Sequence, residues 1–157
     1  MPMTTSSSEY LLDTNILVYF VHLDSVHHRS SRESVELLER EGHLPVFTPQ
    51  NAVEFWAVAT KPTSAGGLGY LVDEARAHLE AFGRRFEFLP ETPHLFHAWL
   101  DVVHQYGTVG RNVFDARLAA AMSLHRIPKI VTENFKDFKR YPFLTPLAPK
   151  EILAGMR

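Results

Sequence analysis

The stretch Glu9-Tyr10-Leu11-Leu12-Asp13-Thr14-Asn15-Ile16-Leu17-Val18-Tyr19-Phe20 decides the fold. Its first part is a short apolar run closing on a carboxylate, the pattern of a buried strand. Thr14 or Asn15 is expected to cap a helix that carries Ile16, Leu17, Tyr19 and Phe20. A buried strand feeding straight into a helix opens a βαβ unit, so the rest of the chain is read for repeats of that alternation.

Working outward, the polar stretch Asp24-Ser25-Val26-His27-His28 leads to a second helix. There Val35, Leu37 and Leu38 face inward, Glu33, Glu36, Glu39 and Arg40 face water, and Gly42 ends the helix. Leu44-Pro45-Val46-Phe47-Thr48 reads as a second strand. Pro49 suits the first turn of a helix from Gln50 to about Thr60, which stops before Pro62. Thr63-Ser64-Ala65-Gly66-Gly67-Leu68-Gly69 is a flexible loop without the preceding strand or the Lys-Ser/Thr of a phosphate-binding loop. Helices are expected over 71–82, 93–106 and 112–125, and strands at Phe86-Glu87-Phe88-Leu89 and Lys129-Ile130-Val131-Thr132. A turn around Asp137-Phe138, an extended piece over 144–147 and a terminal turn complete the pattern. The fold class is α/β: a single domain over 1–157, with helices on both faces of a parallel sheet and a flexible lead over 1–8.

Composition supports this and removes several chemistries. The chain has 157 residues, 45% of them hydrophobic and 22% charged, enough to bury a core unaided. It has no cysteine, which excludes disulfides, a thiol nucleophile and cysteine-rich zinc sites. The longest apolar run, Ile16-Leu17-Val18-Tyr19-Phe20-Val21, is far below the roughly 20 residues of a membrane span. The start, MPMTTSSS, lacks the basic and apolar segments of a secretory signal, so a cytoplasmic protein is expected. A net charge of −2 hides an asymmetry: residues 1–104 carry seven Lys and Arg against 14 Asp and Glu, residues 105–157 nine against four. A basic C-terminal third suits a polyanionic partner.

Carboxylates fall where an open parallel sheet binds its ligands, beyond the carboxyl ends of the strands. Asp13 closes the first strand, Asn134 and Asp137 follow the strand at 129–132, and Asp115 opens the helix over 112–125. Asp115 lies among Val113, Phe114, Leu118, Ala119, Ala121 and Met122, so that helix is expected to be mostly buried. Glu54 is a lone acid in Val53-Glu54-Phe55-Trp56-Ala57-Val58. Each has a bland reading: a helix cap for Asp13, a dipole contact for Asp115, a turn cap for Asp137, a salt bridge to Arg111 or Arg117 for Glu54. Taken together, acids at one cleft without cysteine or a histidine pair suit a hard divalent cation with oxygen ligands. Metal-assisted phosphodiester hydrolysis is the chemistry they suggest.

Four motifs in order carry a resemblance: Leu11-Leu12-Asp13-Thr14-Asn15, the lone Glu54, Phe114-Asp115-Ala116-Arg117-Leu118-Ala119-Ala120, and Val131-Thr132-Glu133-Asn134-Phe135-Lys136-Asp137-Phe138. Over residues 10–152 the sequence resembles the PIN-domain ribonucleases, and more narrowly the VapC-type toxins of bacterial toxin–antitoxin pairs. The resemblance implies a three-layer sandwich with a sheet of order 3-2-1-4-5 and a Mg²⁺ or Mn²⁺ site. It implies Asp13 and Asp115 as metal ligands, with Glu54 and Asp137 completing the catalytic acids. Asn134 would position water or a phosphate oxygen, with Thr14 and Thr132 as accessory polar groups. Arg111, Arg117, Lys136, Lys139 and Arg140 become candidate contacts to RNA or to a VapB-type antitoxin. A homodimer that cleaves RNA in the cytoplasm, with no membrane partner, is the implied whole.

Other readings carry less. His97, Asp101 and His104 recur at helical spacing, but no Glu adjoins the first His and no fourth zinc ligand follows, so a solvated face is expected. An aspartyl-phosphate phosphatase would want an acid two residues after Asp13, where Asn15 stands. A catalytically silent RNA- or protein-binding module of the same fold is the alternative from another class. Such a module would be expected to lose one of Asp13, Glu54 or Asp115, and all three are present.

Overall fold

In the computed structural model, which describes residues 8–157, β1 (Glu9–Leu12) lies at the centre of a five-stranded sheet. It pairs in parallel with β2 (Leu44–Phe47) on one side and β4 (Lys129–Val131) on the other. The edges are β3 (Glu87–Phe88) beside β2 and β5 (Thr145–Leu147) beside β4, both also parallel. The order β3-β2-β1-β4-β5 is the one the resemblance implies. The expected lead over 1–8 lies, except for Ser8, outside the described residues.

Alternation along these short strands divides the interior into two cores, because successive side chains leave opposite faces of a sheet. Tyr10, Leu12, Phe47, Val131 and Leu147 enter one core. The helices covering it are α1 (Thr14–Val21), α2 (His28–Arg40), α3 (Pro49–Thr60), α4 (Val72–Arg85) and α8 (Pro149–Leu153). Leu11, Val46 and Ile130 enter the other, under α5 (Leu95–Gln105), α6 (Asn112–His125) and α7 (Phe135–Phe138). Each fully buried side chain of this kind contributes about 1.5–3 kcal/mol. In the first core Phe82 is the hub, its ring centroid 5.2 Å from Phe55, 5.8 Å from Phe86 and 6.2 Å from Phe20.

Local chemistry departs from the sequence expectation at several points. Asp13 itself caps α1, in extended conformation with its side chain accepting from the Thr14 N–H, so neither Thr14 nor Asn15 is the cap. Helix α4 runs three residues further than expected, to Arg85, because Gly83 sits on an uncrowded surface and Arg84 and Arg85 suit the last turn. The turns expected around Asp137 and after Leu147 are the short helices α7 and α8. Phe114 is 55% exposed rather than buried, since α6 turns Ala116, Leu118, Ala119, Ala120 and Met122 into the core and leaves residue 114 on the outer rim.

The glycine-rich loop is tied down rather than free. The N–H groups of Leu68, Gly69 and Tyr70 donate to the carbonyls of Val58, Lys61 and Ala59, folding the loop back onto the end of α3. A Cβ on Gly67 would collide with the Lys61 carbonyl and Cβ, whereas one on Gly83 meets nothing. Gly67→Ala is therefore expected to cost about 1–3 kcal/mol. Gly83→Ala, within a helix, should gain about 0.5–1 kcal/mol. Urea midpoints of the two variants check both signs.

Candidate active site

The sheet order reverses between β1 and β4, and the crevice beyond their carboxyl ends is the expected ligand position in such a sheet. Asp13 follows β1 and Thr132 follows β4, with the Asp13 N–H donating to the Val131 carbonyl at 3.0 Å. Asp13 is 7% exposed and Thr132 fully buried. The Thr132 hydroxyl donates to Asp13 Oδ2 at 2.7 Å, Asn15 Nδ2 donates to the same oxygen at 3.3 Å, and the Thr14 N–H donates to Oδ1 at 2.8 Å. Thr132 Oγ1 in turn accepts from Asn15 Nδ2 and from the Asn134 N–H. A buried carboxylate held by this many donors has a single orientation.

Glu54 comes from the second turn of α3. Its Oε2 accepts from the Thr14 hydroxyl at 2.7 Å and its Oε1 from Gln50 Nε2 at 2.9 Å. Thr14 Oγ1 also accepts from Asn51 Nδ2, while Asn51 Oδ1 accepts from Thr48, whose capping box starts the helix. Glu54 thus finds hydrogen-bond donors, not the Arg111 or Arg117 ion pair that would explain it away. Arg117 instead pairs with Glu91 at 2.6 Å and donates to Gln50 Oε1 at 3.0 Å.

Asp115 stands in the first turn of α6, and Asp137 lies in α7, which follows β4. Burial pushes Asp13 up to about 7, with Asp115 and Glu54 adding to the rise against the opposing hydrogen bonds from Thr132 and Thr14. Burial likewise raises Asp115 to about 6, helped by the charges of Asp137 and Glu54 and opposed by Arg140. All four expected carboxylates therefore act on one electrostatic site, Asp137 through Asp115. Asn134 is exposed, and its backbone rather than its side chain joins the network. Arg111, Lys136, Lys139 and Arg140 are exposed around this end of the molecule, with Lys139 Nζ 4.0 Å over the Phe135 ring.

The donor set fits a hard divalent cation. It is all oxygen and mutually repulsive, and burial together with the neighbouring acids raises Asp13 and Asp115 above the ordinary carboxylate range, a cost that a bound cation would offset. Among the described residues no three His, Asp or Glu side chains close into a cage, and a hydrated Mg²⁺ held through one or two carboxylates needs none. His97, Asp101 and His104 are exposed on α5.

Sequence reasoning missed Gln50 and Asn51 as members of the site. A signal for Gln50 existed, since it precedes Glu54 by one helical turn and such pairs meet on one face. Asn51 was legible as the partner of Thr48 in a capping box, but not its reach to Thr14.

A family model described as PIN domain matches residues 10–144. Among solved structures, the chain is similar to VapBC2 from Rickettsia felis bound to a DNA fragment from its promoter: 22% identity, 89% of this chain, 98% of that chain, TM-score 0.68. VapBC-1 from nontypeable Haemophilus influenzae aligns at 17% identity over 90% of this chain and 98% of that one, TM-score 0.63. Mycobacterium tuberculosis VapC20, a Sarcin-Ricin loop cleaving toxin, aligns at 16% identity over 78% and 87%, TM-score 0.54. At these identities the likeness is one of fold. No curated protein matches the chain.

Proposed function

This chain belongs to the PIN domain family, and on that premise we propose that it is a metal-dependent endoribonuclease, the toxin half of a type II toxin–antitoxin pair restrained by a VapB-type antitoxin. The observation that carries this reading is the acid set itself. Asp13, Glu54 and Asp115 act on one electrostatic site, with Asp137 acting on Asp115; burial raises both Asp13 and Asp115, and neighbouring acids add to the rise of each. A structural role alone would be served better by apolar side chains of similar volume.

Asp13 and Asp115 would hold Mg²⁺ or Mn²⁺, which when bound supplies the charge that activates water and neutralises a phosphoryl oxygen. Thr132 and Asn15 keep Asp13 Oδ2 oriented, and Thr14 does the same for Glu54 Oε2. Glu54 and Asp137 are the carboxylates available to orient the water that attacks in line and to take its proton. Asn134, exposed at the rim, can reach a phosphate oxygen. Lys136, Lys139, Arg140 and Arg111 supply the positive charge that an RNA backbone needs beside so acidic a centre. Arg117 is tied to Glu91 and Gln50, which gives it a role inside the protein.

The neighbours named as VapBC complexes support an antitoxin partner, and the one named as cleaving the Sarcin-Ricin loop supports an RNA target. Leu23, Val26, Leu71 and Val72, and separately Phe96, Leu100 and Phe114, are exposed apolar side chains available to an antitoxin segment and to a second copy. The reading includes a cytoplasmic site of action, and no helix among the described residues is long and apolar enough to cross a membrane.

A pool of structured RNAs incubated with purified protein tests the reading. Discrete cuts are expected with Mg²⁺ or Mn²⁺ and none with EDTA. A folded protein that cuts nothing under either metal would sink the nuclease and leave the binding module.

A further inference from the structure

We propose that Gln50 is a positioning residue that fixes the Glu54 carboxylate against the turn of α6 carrying Asp115. The inference rests on the ribonuclease reading for its consequence, but on hydrogen bonds alone for its geometry. Glu54 and Asp115 reach the crevice from different layers: α3 packs in the core on one face of the sheet, α6 in the core on the other. The two helices are separated in sequence by α4, β3 and α5. Something must set the distance between these carboxylates, and Gln50 spans the gap.

Its Nε2 donates to Glu54 Oε1 at 2.9 Å and to the carbonyl of Phe114, the residue before Asp115, at 2.8 Å. Its Oε1 accepts from Arg117 Nη1 at 3.0 Å. Only one amide orientation satisfies all three, since two acceptors require the NH₂ group and a guanidinium requires the oxygen. Arg117 is itself held by Glu91 at 2.6 Å, so the amide cannot turn over without losing the guanidinium. With Thr14 on the other oxygen of Glu54, the carboxylate is pinned at both ends. Gln50 hydrogen-bonds neither Asp13 nor Asp115 and is assigned no catalytic step. It sets where one acid stands relative to another, and misplacement of such a group by a fraction of an ångström costs rate.

Gln50→Glu is nearly isosteric and sets an acceptor against Glu54 and the Phe114 carbonyl, while Gln50→Leu removes the hydrogen bonds. Steady-state cleavage by the full chain should show kcat down by roughly tenfold or more in both variants, with KM within about twofold. Val53→Ala, on the exposed side of the same helix, should change neither. An unchanged kcat in folded Gln50→Leu overturns the proposal, and so does a rise confined to KM, which would make Gln50 an RNA contact.

A double-mutant cycle in urea separates this inference from the ribonuclease reading and carries the test if Gln50→Glu fails to fold. Gln50→Leu should lower the unfolding midpoint clearly in the wild type and distinctly less in Glu54→Leu. Additive shifts overturn the link whether or not the protein cuts RNA. Coupled shifts in a protein that cuts nothing would retain the geometry and reject the nuclease.

Discussion

Asp115→Asn and Asp13→Asn are each expected to reduce metal-dependent RNA cleavage by on the order of 10²–10⁴-fold, with the sheet left intact. The two variants lose activity for the same reason and differ in what else they disturb. Asp115 has no side-chain hydrogen-bond partner among the described residues, so an amide of equal volume removes charge and little else. Asp13 accepts from Thr14, Thr132 and Asn15. Asn in its place keeps one acceptor and turns its NH₂ toward groups that already donate. Asp13→Asn should therefore lose some stability as well as activity, and Asp115→Asn activity alone. Cleavage assays beside circular dichroism separate the two effects. Wild-type rates in either variant would remove that residue from the metal site.

The second large effect is on stability against pH. Asp13 stands at about 7 and Asp115 at about 6 in the folded chain, both above the ordinary carboxylate value of 3.8. A group whose folded pKa is raised holds its proton more tightly folded than unfolded, so its contribution is full below about 4 and is lost as pH climbs through the folded value. Without divalent cations the protein should be most stable at about pH 4 and below as far as these acids decide it, and weaken steadily toward pH 8. For buried Asp13 the loss is on the order of 3–4 kcal/mol.

Mg²⁺ is expected to reverse the loss by binding the ionised carboxylates: at a hundred times its dissociation constant it would stabilise by about 2.7 kcal/mol. At pH 5, where protons occupy the same oxygens, the gain should vanish. Asp115→Asn, relieved of repulsion from Asp137 and Glu54, should melt higher than wild type at pH 8 without metal. Melting curves at pH 5 and pH 8, with Mg²⁺ and with EDTA, check all of this. Stability that rises from pH 5 to pH 8 without metal would mean the acids are not crowded as described.

Much of this architecture is written in local pattern. Short apolar runs at Tyr10, Val46 and Ile130, each followed by helix-forming sequence, are enough to imply parallel strands with crossovers, because each element must bury its apolar face against the next. The acids were legible for a related reason. Asp13 and Asp137 follow strands, and the carboxyl ends of parallel strands all open on the same side of the sheet. Asp115 and Glu54 stood out as charges in otherwise apolar helices.

What the pattern could not convey was which donor meets which acid. A capping residue is named by its backbone conformation, and Asp13, Thr14 and Asn15 all have side chains able to cap. Only the turn out of β1 into α1 selects Asp13. Glu54 could equally have met Arg117, and the packing of α6 sends that guanidinium to Glu91 and Gln50 instead. Phe114 looked buried by composition, yet the rotation of α6 places small residues inward and the ring at the rim.

The sequence by itself thus determined the strands, their parallel sense, the four acids and the family to which they belong. Tertiary structure alone decided the pairing of those acids with Thr132, Thr14 and Gln50, the shared burial that raises Asp13 and Asp115, and the division of Arg117 from the exposed cations. The reason is one of range. Periodicity and strand ends are properties of neighbours along the chain, whereas a hydrogen bond such as Thr132 to Asp13 joins residues 119 positions apart and exists only once the sheet has set them side by side.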